Sequence, residues 1–161
     1  MDSRFAMTWN AEELARALKV TVEDIREYFT DGRRVSFIIE RRLHWENPGW
    51  TLAPSEGAGY DLRDPDGGLW EVRSITRGGV YFTPSSQVGS GRSFDEAGFL
   101  KKLGSVAGFI LADIVDFPTV NVFKVPAEMV RRWYDRHELN AGAKISRANF
   151  HSRLAPQLEM A

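Results

Sequence analysis

The run Gly59-Tyr60-Asp61-Leu62-Arg63, Asp64-Pro65-Asp66-Gly67-Gly68, Leu69-Trp70-Glu71-Val72-Arg73-Ser74-Ile75-Thr76 sets the architecture of this chain. Its last eight residues alternate, with Leu69, Glu71, Arg73 and Ile75 on one face and Trp70, Val72, Ser74 and Thr76 on the other, as a strand requires. Asp64 to Gly68 is a dense cluster of turn formers, so the flanking segments pair as a hairpin. The literal Pro65-Asp66 lies inside that turn. Glu71 and Arg73 emerge together, and the partner strand can bring Asp61 beside them. They share their face with Leu69 and Ile75, and charges among apolar neighbours need a partner or a metal. Two carboxylates so placed are oxygen ligands of the kind Mg²⁺ takes, leaving room for waters and a substrate phosphate. On the residues alone, a cross-strand Asp61–Arg73 salt bridge, worth under about 1 kcal/mol on a surface, is an equally open reading.

Working outward, the chain before the hairpin reads as helical. Asn10 can cap a helix over Glu12–Lys19 and Thr21 one over Val22–Phe29, with Asp31-Gly32 as a stop; a third apolar-periodic segment spans Val35–Leu43. The first two resemble a helix-turn-helix, although Glu23, Asp24 and Glu27 on the second would repel phosphate. Trp50-Thr51-Leu52 is a short strand. After the hairpin come a strand at Val80–Phe82, a Ser/Gly-rich loop from Thr83 to Ser93 and a helix over Phe94–Leu103. A buried strand at Gly108–Val115, another at Val120–Val125 and a helix from Pro126 to Tyr134 complete the order, with a less regular tail. The expectation is an α/β (α+β) domain, a central mixed β-sheet flanked by helices, with residues 1–45 as a helical N-terminal segment and 46–161 as the main domain.

The arrangement of Asp61, Glu71 and Arg73 resembles the PD-(D/E)xK nuclease superfamily, which includes the type II restriction endonucleases. In that pattern an Asp on one strand and a Glu-x-Lys on the next bind metal and activate water. The resemblance implies a restriction-endonuclease-like fold, with Asp61 and Glu71 as metal ligands and Arg73 at the lysine position. Glu40 would be the additional acid on the preceding helix. The implied cofactor is Mg²⁺, with Mn²⁺ as a substitute, and the implied substrate is double-stranded DNA. Arg73 stays protonated, so it can orient water or neutralise phosphate but cannot act as a general base. A homodimer is expected from the symmetry of a palindromic site, with residues 8–45 as the interface. The alternative is a non-catalytic DNA-binding module on the same fold.

Net charge is 21 minus 22, or −1, which does not suit a simple polybasic binder. The charge is uneven: residues 73–102 carry five Lys/Arg against two acids, and residues 129–161 six against three. These segments supply the candidate DNA contacts Arg77, Gln87 and Arg92, then Lys144, Arg147, Asn149 and Arg153; Gln suits adenine, and Arg suits guanine or phosphate. His44, His137 and His151 lack metal-ligand spacing and read as surface or interface positions, His44 also as a neighbour of Glu40. Trp133 and Tyr134 read as core or interface. The Gly89-Ser90-Gly91 triplet is too short for a P-loop, and no Gly-x-Ser-x-Gly elbow occurs. Apolar runs such as Val106–Ile114 are too short to span a bilayer, no secretory signal opens the chain, and cysteine is absent; a cytoplasmic protein is expected.

Overall fold

Phe109-Ile110-Leu111-Ala112 offers no polar side chain to turn outward, so a strand built from it must be covered on both faces. The computed structural model, which describes residues 1–55, 57–84 and 93–159 except the side chains of Arg33 and Glu159, places this segment inside the sheet with every residue of its strand buried. The elements are β1 (Arg4–Thr8), α1 (Ala11–Leu18), α2 (Val22–Thr30), α3 (Gly32–Glu46), β2 (Thr51–Leu52), β3 (Leu62–Arg63), β4 (Leu69–Ile75) and β5 (Val80–Tyr81). They continue with α4 (Glu96–Ser105), β6 (Gly108–Asp113), β7 (Thr119–Pro126), α5 (Ala127–Asp135), β8 (Lys144–Ile145) and α6 (Arg147–Asn149), which runs on through helical turns to Glu159.

Six strands form one mixed sheet in the order β1-β7-β6-β4-β3-β2. The meander β2-β3-β4 is antiparallel, β6 lies parallel to β4 after the α4 connection, and β7 and β1 are antiparallel additions. The alternation expected of β4 holds. Trp70 and Val72 pack with Ile110, Ala112, Val120 and Val122 against α1–α3 through Ala15, Ile25, Phe29, Val35 and Ile39. Ile75 packs on the opposite side with Phe109, Leu111, Phe123 and Val125, against Phe99 and Leu103 of α4 and Met129, Val130 and Trp133 of α5. The result is a mixed sheet between two helical layers, each with its own apolar core.

The front helices follow their caps. Asn10 Oδ1 accepts from Glu13 N, and Thr21 and Asp24 form a reciprocal capping box. Two elements were not expected from the sequence. The front begins with a strand, β1, which pairs with β7 from Arg4↔Phe123 to Thr8↔Thr119, so α1–α3 are tied to the main sheet at both ends. The tail is more regular than its composition suggests, because β8 pairs with β5 as a second small sheet and the turns after it bury Phe150 and Leu154. Gly79 makes the β5–β8 approach possible: it has φ +97° and a Cβ there would stand 2.0 Å from the Ile145 carbonyl oxygen. Trp133 is wholly buried, and its indole N–H donates to Gln157 Oε1 at 2.9 Å. Among the described residues, no helix is long and apolar enough to cross a membrane.

Candidate functional site

Asp61 stands where β3 and β4 stop pairing. Its backbone N–H still donates to the Trp70 carbonyl (2.9 Å), but two residues further along β4 it is the Asp61 side chain that takes over, Oδ2 accepting from Val72 N–H at 2.7 Å. Its carbonyl accepts from Ala53 N–H, which anchors the β2 side. The other carboxylate oxygen, Oδ1, accepts no hydrogen bond among the described residues. The turn before β4 is built by Asp64, whose Oδ1 accepts from Asp66 and Gly68 N–H and whose Oδ2 accepts from the Trp70 indole. Burial works against the Asp64 charge, but these bonds and the nearby Lys124 outweigh it and hold the carboxyl below the usual carboxylate value. Asp64 is thus a turn residue, and Asp66, of the literal Pro-Asp, is held in the turn with it.

Glu71 leaves β4 toward α4 and is almost entirely buried, its side chain 8% exposed. Two cations meet it there. Arg73 pairs with Oε1 and also donates to the Thr83 carbonyl at 3.2 Å, while Lys102 of α4 pairs with Oε2. Lys102 also donates to the Gly59 carbonyl, two residues before Asp61, so one ammonium ties α4 to the loop that presents the first acid. The charges couple. Burial, and then the neighbouring Glu71 charge, push the Asp61 carboxyl above its ordinary value; the Val72 N–H, Arg73 and Lys102 only partly offset this.

Of the residues read from sequence as catalytic, Asp61, Glu71 and Arg73 come together. Glu40 approaches from the α3 layer and shares with Asp61 a cleft of about 380 Å³ that Ser36, Phe37, Arg41 and Tyr60 also line. Asp61 therefore stands between Glu40 on one side of the sheet and Glu71 on the other. His44 does not join this group; its Nδ1 lies 2.6 Å from the Trp50 carbonyl oxygen. Lys102 was missed as a site residue, having been counted only within a basic segment. The spacing held a sign: Phe99 and Leu103 are the buried stripe of α4, and Lys102, three residues after Phe99, falls on that stripe while Lys101 is exposed.

The residues read as DNA contacts are dispersed. Gln87 and Arg92 lie outside the described residues. Lys144 sits on β8 with its ammonium 4.7 Å from the Tyr81 ring centroid. Asn149 and Arg153 are exposed on the C-terminal turns. Arg147 is half-buried and held by Asp113 and Asp116; burial disfavours its charge, but those two carboxylates keep it protonated above the ordinary guanidinium value. Arg77 is exposed beside the same cleft as Arg147. His151, read from sequence as a surface or interface position, is partly exposed, and its Nε2 lies 2.5 Å from the buried Asp113 carboxylate.

As donors, Asp61 Oδ1 and one Glu71 oxygen suit a hard divalent cation, which needs only one or two carboxylates plus water and phosphate oxygens. Among the described residues no group of three or more His, Cys, Asp or Glu is gathered to hold a metal ion. No protein-family model, no curated protein and no solved structure matches this chain.

Proposed function

We propose that this chain is a metal-dependent endonuclease of double-stranded DNA, of the type II restriction-enzyme kind, acting through Asp61 and Glu71. The observation that carries the reading is the pairing at the fork between β3 and β4. A carboxylate whose charge is disfavoured by burial faces a second, buried carboxylate on the next strand, with two cations against the second. The order of elements in the main sheet supports it as well: helix, three-strand meander, then, after β5 of the small sheet, a helix and a strand parallel to the third, as a restriction-endonuclease-like fold implies.

In this reading Asp61 Oδ1 and Glu71 Oε2 would hold Mg²⁺ or Mn²⁺, which when bound supplies Lewis-acid stabilisation of a phosphodiester and of the water attacking it. With Glu71 Oε2 holding the metal, Lys102, which now pairs with that oxygen, would be free to face a phosphate. Arg73 remains protonated and stabilises negative charge as it develops on the phosphate. Lys102 adds a second positive charge next to the acids, and its bond to Gly59 holds it beside Asp61. Glu40, across the cleft, orients solvent next to Asp61.

The test is incubation of the purified protein with supercoiled and bacteriophage DNA and Mg²⁺ or Mn²⁺, alongside Glu71→Ala and Asp61→Asn. Discrete fragments that need metal and vanish in both variants are expected. A protein that binds DNA but cuts with neither metal refutes the catalytic reading. One observation favours that second reading, the non-catalytic DNA-binding module. The two carboxylates and two cations already balance, at −2 and +2, so the cluster is electrically complete without a metal. Salt-sensitive DNA binding that survives Glu71→Ala, without cleavage, is its signature. Dimerisation through the α1–α3 face belongs to the catalytic reading and is tested by sedimentation with and without a palindromic duplex.

A further inference from the structure

A second buried carboxylate lies apart from the Asp61–Glu71 pair. Asp113 ends β6 with 1% of its surface exposed, on the face that Phe109 and Leu111 share. Phe109 is the partner of Glu71 across the β4–β6 ladder, so Asp113 stands about 13 Å further along the strand, at roughly 3.3 Å per residue. Burying a lone carboxylate costs several kcal/mol unless it is paired and hydrogen-bonded. Here Oδ1 accepts from Val115 N–H, Arg147 Nε reaches both oxygens at 3.0 and 2.9 Å, and His151 Nε2 lies against Oδ2. Arg147 is pinned again by Asp116. The effect is to fix a guanidinium and an imidazole in set positions at the sheet's end. His151 Nδ1 makes no hydrogen bond among the described residues.

A tie between sheet and tail accounts for that triad but not for what gathers around it. Arg4 from β1, Arg77 from the turn after β4, Asn121 from β7, and Arg147 and His151 from the tail line one open cleft of about 600 Å³ with Asp116. Arg77 is exposed and makes no hydrogen bond or ion pair among the described residues. Arg77 thus brings to the cleft a guanidinium that Asp113 and Asp116 do not engage, and the planar donor fork of arginine matches phosphate oxygens. Four separate parts of the chain converge on this cleft, bringing guanidinium, amide and imidazole groups together.

We propose that this cleft is a phosphate-binding site. Arg77 and Arg147 bind the oxyanion, Asn121 and His151 add donors, and Asp113 is the positioning residue that holds Arg147 and His151. The site stands independently of the nuclease reading, since it shares no residue with the Asp61–Glu71 pair. Its ligand is a phosphoryl group, either free, as in phosphate or a nucleoside 5′-monophosphate, or in a nucleic-acid backbone.

Titration calorimetry with inorganic phosphate, with adenosine 5′-monophosphate and with a 12-base-pair duplex lacking terminal phosphates separates the sources. Each is measured on the native protein, Arg77→Ala and His151→Gln, with circular dichroism confirming the fold. Saturable binding weakened about tenfold in both variants is expected. If the small anions carry it, the ligand is a free phosphate. If the duplex carries it, and Arg77→Ala lowers the log–log salt slope by about one, the ligand is a backbone phosphate. Binding of none of the three, or binding unchanged in the exposed Arg77→Ala variant, overturns the proposal.

Discussion

The Glu71 cluster gives the sharpest test of the physical argument, because its cost can be worked from burial. The perturbation is Lys102→Met, which keeps the stem and removes the ammonium. Glu71 is 8% exposed and Lys102 13%, so the pair sits in a poorly screened interior rather than on a surface. Removing one partner of a buried pair costs about 3–5 kcal/mol, because the remaining charge is left in low dielectric. Arg73 still holds the other Glu71 oxygen and moderates this, while the lost bond to Gly59 adds roughly 1 kcal/mol. About 3 kcal/mol is expected. With a urea m-value of about 2 kcal/mol/M, that lowers the unfolding midpoint by about 1.5 M. Glu71→Gln is also costly, since it leaves Arg73 and Lys102 facing each other. The double variant should recover about 2 kcal/mol relative to the sum of the singles. Equilibrium urea unfolding at pH 7 on the four proteins completes the cycle. A midpoint shift under about 0.3 M with a coupling under about 0.5 kcal/mol is the behaviour of an exposed pair, and would refute the buried-cluster argument.

Other outcomes follow from single residues. Asp61→Asn should raise the melting temperature at pH 7.5, because burial and the Glu71 charge disfavour the ionised carboxylate while asparagine keeps an oxygen for Val72 N–H. The native carboxyl is raised in the folded state, so its favourable contribution is present below its unfolded value and is lost as pH rises through the folded one. The gap between variant and native protein therefore closes as pH falls to about 4, near the ordinary Asp value, and a gap independent of pH would contradict the assignment. Gly108→Ala should abolish cooperative unfolding, since the added Cβ would lie 2.2 Å from the Val125 carbonyl oxygen and 2.7 Å from the Trp70 ring. Gly104→Ala in α4, where a Cβ meets nothing within 4 Å, serves as control and should be neutral or stabilising by up to about 1 kcal/mol.

The local patterns were legible because they are carried by near neighbours. The alternation of Leu69 to Ile75 assigned the two faces of β4, the Asp64–Gly68 cluster marked the turn, and the caps at Asn10 and Thr21 marked the starts of α1 and α2. The candidate acids Asp61 and Glu71 could be named from those patterns, since a hairpin brings partners ten residues apart onto facing strands. β1 and β8 could not. Each is a short segment with weak periodicity, made a strand by a partner more than sixty residues away, β7 for the first and β5 for the second.

What the sequence determined by itself was therefore the mixed α/β class, the faces of the central strands and the acidic pair at the hairpin, because spacing along the chain already encodes them. What only the tertiary structure decided was the company those acids keep. Lys102 reaches Glu71 because α4 packs its buried stripe over β4, and Asp113, an acid ending an apolar strand, acquires Arg147 and His151 from the far end of the chain. Both arise from long-range packing, in which a buried charge draws its partner from whichever element covers it, and no local pattern records which element that will be.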